Sequence, residues 1–345
     1  TQSVKSALNM SKSTKNSISI SIAFVHTAIS KVDLGWDEID KILYEERIPH
    51  HLLKEPNARV SLHQYAKMKS TLMDASSDEL LGHAEDPLPL GSLSLLTHWL
   101  VLAKSMEDVF KRFARFFQIL GKGLKIQPYF EEEQVHIVID DAHESEDTFM
   151  AEFSFFIIHR MLSWLTKEII KIDQISFQFH EPSYAKDYRL MFYGAPISFN
   201  SDTTVISFSR SLLQEPVQQN LPNLEQFLKN PIFELLVLNF NADNWAAKVA
   251  DGIRDRLDQL PSLPELAETL KIKPYTLHRR LADEGITFQA IKNQVKRDTA
   301  IELLVNSDFT IEEISEKLGF SETSPFTRTF KEWTGIPPSA YRKYT

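Results

Sequence analysis

The sequence predicts an α+β domain over residues 1–241 and an all-α domain over residues 242–345, the latter made of two helix-turn-helix units joined by a long linker helix. Three observations lead there. Before residue 240, strand-like and helical patterns mix without regular alternation. In the last 85 residues an apolar stripe recurs at an offset of 48, and a long amphipathic stretch separates the two copies.

Residues 1–30 are Ser-, Thr- and Lys-rich at first and then apolar, a loose leader entering a helix. From about Val32 to Leu120 the spacing is helical, with Trp36, Ile39 and Ile42 on one stripe and Val109, Phe113, Phe116, Phe117 and Leu120 on another. Alternation marks strands at Leu124–Phe130 and Gln134–Ile139, joined by the acidic turn Glu131–Glu133. A helix over Phe153–Ile170, a strand at Ile175–His180 and a strand pair at Ile197–Phe199 and Thr204–Phe208 follow. This order lacks the regular strand–helix alternation of a doubly wound sheet. Gln214–Pro222 reads as a loop. A helix near Trp245–Leu260 carries Ala246, Val249, Ile253 and Leu257 on one face, and Pro264 suits the first turn of the next helix. The domain boundary falls near Asn241–Asp243.

The second domain rests on the repeat. Leu263, Leu266, Ala267 and Leu270 become Ile311, Ile314, Ser315 and Leu318 after 48 positions. Leu277 and Leu281 correspond to Phe326 and Phe330 at an offset of 49, so the second turn is one residue longer. The two units span about 263–285 and 310–334. Between them Thr287 caps a helix through Phe288, Ile291, Val295, Ala300, Leu303 and Leu304. At about 1.5 Å per residue it spans roughly 27–30 Å, close to the ~34 Å turn of B-form DNA.

Each second helix has two unlike faces. At about 100° per residue, turning Leu277 and Leu281 inward sends Tyr275 and Arg279 outward, flanked by Thr276 and His278. Arg280 lies nearer the core edge, placed to touch a phosphate or to snorkel. In the second copy Ser324, Arg328 and Lys331 point out, Thr327 lies at the margin and Thr323 starts the helix. Arginine is the commonest reader of guanine, and His, Ser and Thr supply shorter contacts. Such a face suits the major groove of double-stranded DNA.

Composition excludes several classes. The chain has no Cys, which removes disulfides, thiolate metal sites and cysteine nucleophiles and fits a reducing cytoplasm. The apolar stretch Leu90–Ala103 is too short and too polar to span a bilayer, and no signal-peptide-like run precedes Ile18. Residues 261–345 hold 12 basic and 12 acidic side chains, so the net charge of −9 falls entirely on residues 1–260. The 11 histidines show no metal-ligand spacing, no Gly-rich phosphate loop occurs, and Gly91–Ser92 lacks the nucleophile-elbow pattern. No catalytic residue, metal or cofactor is expected, and the protein is not expected to be an enzyme.

The stretch Ile311–Arg342 resembles the C-terminal signature of the AraC/XylS family in Ile314, Gly319–Phe320, Ser324, Phe326, Arg328, Phe330–Lys331, Gly335, Pro338 and Tyr341–Arg342. The likeness extends upstream through both units. Two residues depart from it. Pro337 stands where the family has Ser or Thr, in a loop. Pro325 lacks an N–H and clashes with the carbonyl four residues back, so the second reading helix should start near Thr323. Pro56–Tyr65, Ser105–Phe117 and His180–Ser201 are similar to the effector domain of the subfamily of ornithine and related catabolic regulators, of arabinose-binding type. The resemblance implies a cytoplasmic homodimer that regulates transcription with RNA polymerase, its first domain sensing an effector and pairing subunits. The effector is expected to be a small molecule, with control by a protein partner as the alternative. A ligand-sized, partly apolar cavity in the first domain would favour the former, and a filled core with an exposed apolar patch the latter.

Overall fold

A computed structural model of the chain describes residues 18–120, 125–140, 147–238 and 245–342. In chain order the elements are β1 (Ser19–Ser21), α1 (Ile22–Ile29), α2 (Trp36–Glu45), β2 (Arg59–Ser61), α3 (Leu62–Ser76), α4 (Ser92–Val101), α5 (Met106–Leu120), β3 (Lys125–Phe130), β4 (Gln134–Asp140), α6 (Phe149–Thr166), β5 (Gln174–Ser176), α7 (Tyr188–Met191), β6 (Ile197–Ser198), β7 (Thr204–Ser209), α8 (Leu221–Phe227) and α9 (Pro231–Val237). Then follow α10 (Trp245–Arg254), α11 (Leu263–Thr269), α12 (Pro274–Asp283), α13 (Phe288–Asn306), α14 (Ile311–Lys317), α15 (Thr323–Thr334) and α16 (Pro338–Arg342). These residues form two compact units, a sheet unit of 25–42 and 66–238 and a helical unit of 18–24, 43–65 and 245–342. The boundary expected at Asn241–Asp243, the leader before residue 18 and Leu124 lie outside the described residues.

The sheet unit is mixed α/β, with five strands in the order β3-β4-β7-β5-β6. β3 and β4 pair antiparallel through the expected acidic turn, closed by Glu131 N–H donating to Gln134 O at 2.9 Å. The expected pairing of the last two strands is corrected. β5 lies between β6 and β7, running parallel to the first and antiparallel to the second. The chain leaving β6 folds around the end of β5, where Phe177 donates to Ser198 O and accepts from Ser201 N. This engagement also ends β5 at Ser176, short of His180.

Val135, Ile137 and Ile139 recur at the strand period on the buried side of β4, with Ile206 and Phe208 beside them on β7. Val109, Phe110 and Phe113 of α5 also enter this core. The cavity they line with Ile126, Pro128, Ile137, Ile158 and Leu162 measures only about 10 Å³. Every residue of α6 except Phe153 is buried, which is the signature of a central helix. α6 starts and stops four residues earlier than its sequence pattern suggests. Lys167 takes the left-handed conformation (φ 57°) and ends it. Ile39 and Ile42 are buried as expected, but Trp36, the first residue of α2, is 49% exposed at the helix end. The region Val32–Leu120 is also interrupted by β2, which pairs with β1. At three residues each, these strands are too short to show an alternation.

In the helical unit Val249, Ile253, Leu266, Ala267, Leu277, Leu281, Ile291 and Val295 form one buried cluster. Ile314, Leu318, Phe326, Phe330 and Tyr341 are buried in the second copy. α10 ends at Arg254, before Leu260, yet Leu257 and Leu260 still pack on the first cluster. β1, β2 and the segment between α2 and β2 complete this unit. Ser19 Oγ donates to the buried Asp298 Oδ1 at 2.5 Å, and Arg59 Nε donates to Ser19 Oγ at 2.8 Å. Arg47 donates to Val305 O at 2.8 Å, His51 Nε2 lies 2.8 Å from Ala340 O, and Arg59 N–H donates to Tyr341 Oη.

Candidate nucleic-acid interface

Each copy of the repeat is a short positioning helix, a turn and a longer outer helix. α11 and α14 open with capping boxes. Ser262 Oγ accepts from Glu265 N–H while the Glu265 carboxylate accepts from Ser262 N–H, and Thr310 and Glu313 repeat this arrangement 48 residues on. The S/T-x-x-E spacing was a signal available in the sequence beside the apolar stripe. Both helices end on a residue with positive φ, Lys271 at 56° and its repeat-mate Gly319 at 67°. The turns to the outer helices then differ by one residue, 270–273 against 318–322, as the changed offset requires.

The outer helices α12 and α15 bury Leu277 and Leu281, and Phe326 and Phe330, as the spacing predicts. On α12, Tyr275 is 75% exposed, His278 and Arg279 are exposed, and Thr276 is half-buried. Arg280 is half-buried, with its guanidinium 4.2 Å from the ring centre of Trp245. It is therefore stacked on α10, away from the row formed by Tyr275, His278 and Arg279. Glu284 holds that same end of α10 by accepting from Trp245 N–H at 2.7 Å and Ala246 N–H at 3.0 Å.

On α15, Ser324, Arg328 and Lys331 are exposed, and Thr323 and Thr327 are half-buried. All five line one open concavity of about 630 Å³ with Glu332 and Gly335. Pro325 is the third residue of α15, where a helical N–H has no intrahelical acceptor to lose, so the helix starts at Thr323. Neither α12 nor α15 has a side-chain cap at its N-terminus. Their first N–H groups thus contrast with the closed ends of α11 and α14, and can meet an anionic backbone. The 19-residue α13 joins the two copies, with Thr287 capping it through Ala290 N–H.

Among the described residues no group of three or more His, Asp or Glu is placed to hold a metal ion, and no helix is long and apolar enough to cross a membrane. Sequence reasoning missed the seating of α13 on Ser19 and Arg47, because residues some 250 or more positions apart leave no periodic trace.

A family model described as the N-terminal arabinose-binding domain of AraC transcription regulators matches residues 38–217, and a helix-turn-helix domain model matches residues 266–344. The chain is similar to the HTH-type transcriptional regulator VqsM of Pseudomonas aeruginosa, 26% identical over 258 residues that cover 70% of this chain and 77% of that protein. It is also similar to the ornithine utilization regulator of the same organism, 21% identical over 300 residues, or 86% of this chain and 88% of that one. Among solved structures, the transcriptional regulator CdpR from Pseudomonas aeruginosa aligns over 89% of this chain and 97% of its own, with 21% identity and a TM-score of 0.29.

Proposed function

Because the chain belongs to the AraC family of transcription regulators, we propose that it grips double-stranded operator DNA with α12 and α15 in successive major grooves, under the control of a small molecule held by the sheet unit. One observation carries the reading. Two repeat-related helices at either end of α13 both turn a polar, cationic row outward while an apolar row holds them to the core. Tyr275, Thr276, His278 and Arg279, and Thr323, Ser324, Thr327, Arg328 and Lys331, are the proposed contacts to bases and phosphates. Arg280 supports α12 through Trp245 and at most reaches a phosphate. The relatives are transcription regulators, and we read this chain likewise as a non-enzymatic, cytoplasmic homodimer that works with RNA polymerase.

Genome-wide mapping of bound sites followed by footprinting tests the docking. The expected footprint per subunit is two major-groove contacts about one turn, or roughly 34 Å, apart on one face of the duplex. A footprint confined to one groove overturns it.

A second reading, control by a protein partner, draws on the close packing around the cavity of about 10 Å³ in the sheet unit and on Leu95 and Leu102. Leu95 lies on α4 and Leu102 follows seven positions on, at the cap of its C-terminus, and they are 65% and 62% exposed. Leu95→Asp should abolish the response to such a partner and leave a small-molecule response intact.

A further inference from the structure

Lys69 of α3 is a buried lysine with no counter-charge among the described residues. It is 2% exposed, and among the described residues its ammonium meets no carboxylate and no hydrogen-bond acceptor. Its Nζ lies 3.5 Å from the ring centre of Phe153 and 5.0 Å from that of Phe149. Two ring faces return only part of the hydration an ammonium loses on burial, and that loss holds the Lys69 pKa well below the ordinary lysine value. The neighbouring acids are already engaged. Asp147 is paired to Lys31 at 2.8 Å and to His83 at 2.9 Å, and His83 in turn stacks on Phe149. Glu152 accepts from Tyr184 and Tyr188. Phe153, the one residue of α6 that is not buried, opens this aromatic corner outward.

We propose that Lys69 anchors the carboxylate of the small molecule sensed by the sheet unit, with an aromatic or apolar ligand body lying against Phe149 and Phe153. This rests on the reading of that unit as a small-molecule sensor and supplies the ligand class. A single ammonium balances a single negative charge, and Lys31 is committed to Asp147, so a monoanion fits where a phosphate dianion does not.

The test is calorimetric titration of the full chain with benzoate and with hexanoate, each against its uncharged amide. Both carboxylates should bind about tenfold or more tighter than their amides. Lys69→Met should abolish binding without lowering the melting temperature, because it removes an unbalanced buried charge. Lys69→Arg should still bind the anion, since guanidinium stays charged. No binding of either carboxylate, equal binding by the Met variant, or a preference for the amides overturns the proposal. Operator binding by the same samples is scored separately. Its retention beside a failed titration sinks the anion site alone, whereas amide binding alone leaves the sensor reading standing.

Discussion

Arg279 and Arg328 stand 49 residues apart at equivalent places in the repeat, both exposed beside half-buried or exposed hydroxyl-bearing neighbours. If each reads a base edge, Arg279→Ala and Arg328→Ala should each cost about 1–3 kcal/mol in specific binding and relax preference at one base position. Competition gel shifts against a randomised operator measure both quantities, and uniform weakening across all sequences would reassign the residue to a phosphate. These two were legible because helical phase alone separates the outer row from Leu277, Leu281, Phe326 and Phe330. Arg280 was not, since its partner Trp245 lies on α10, 35 positions earlier. Glu152 was equally hidden in an apolar helix. Burial lifts its carboxyl to about 7, against hydrogen bonds from Tyr188 and Tyr184 that pull the other way. The folded chain therefore holds that proton more tightly than the unfolded chain. The stabilisation is complete below the ordinary glutamate pKa of about 4.3 and is lost as pH rises through about 7, a change of up to roughly 3 kcal/mol. Urea melts across this window should show the decline, and Glu152→Gln should flatten it. An unchanged slope in the variant would mean that the group does not titrate there.

At the scale of elements, periodicity decided what could be read. The repeat was visible because α11 and α14 each bury one stripe, and an apolar stripe fixes a helix's phase without fixing its ends. Ends are set by single residues. Lys167 in the left-handed region stops α6, and Glu284 holds the start of α10 through two N–H groups. The β5–β6 pairing was illegible for another reason: β6 has only two residues, and it finds its place through Phe177 bonds made after the chain turns. The capping boxes lead to a prediction at this scale. Ser262→Ala and Thr310→Ala should each destabilise the helical unit by about 1 kcal/mol, because each leaves a first-turn N–H without its acceptor. Operator affinity should fall with the folded fraction and base preference should not change. A shift in base preference at unchanged stability would mean that the caps aim the outer helices.

At the scale of the whole molecule, charge and chain order suggest a simple division between an acidic sensor before residue 242 and a nearly neutral reader after it, with the reader sufficient alone. The helical unit argues for a more particular outcome. Its members include 18–24 and 43–65, and four bonds from those segments reach the second half of the reader. Ser19 meets Asp298, Arg47 meets Val305 O, Arg59 meets Tyr341, and His51 meets Ala340 O. Asp298 is 1% exposed, and Ser19 and Arg297 are its partners in the fold. The first copy is closed differently, by α10 packing on α11 to α13 through Val249 and Ile253. A fragment beginning at residue 245 keeps that cluster and loses every contact from β1 and β2. It should fold, with amide exchange protection over α11 and α12 like that of the full chain and markedly faster exchange from Asp298 to Tyr341. On operator DNA it should protect the groove read by α12 and lose much of the protection given by α15. Adding a peptide of residues 43–65 in trans, or testing Arg59→Ala in the full chain, would show whether these bonds are the cause. Uniform protection across the fragment, with both grooves occupied, would mean that the N-terminal segments merely rest on α13 and that the reader stands alone.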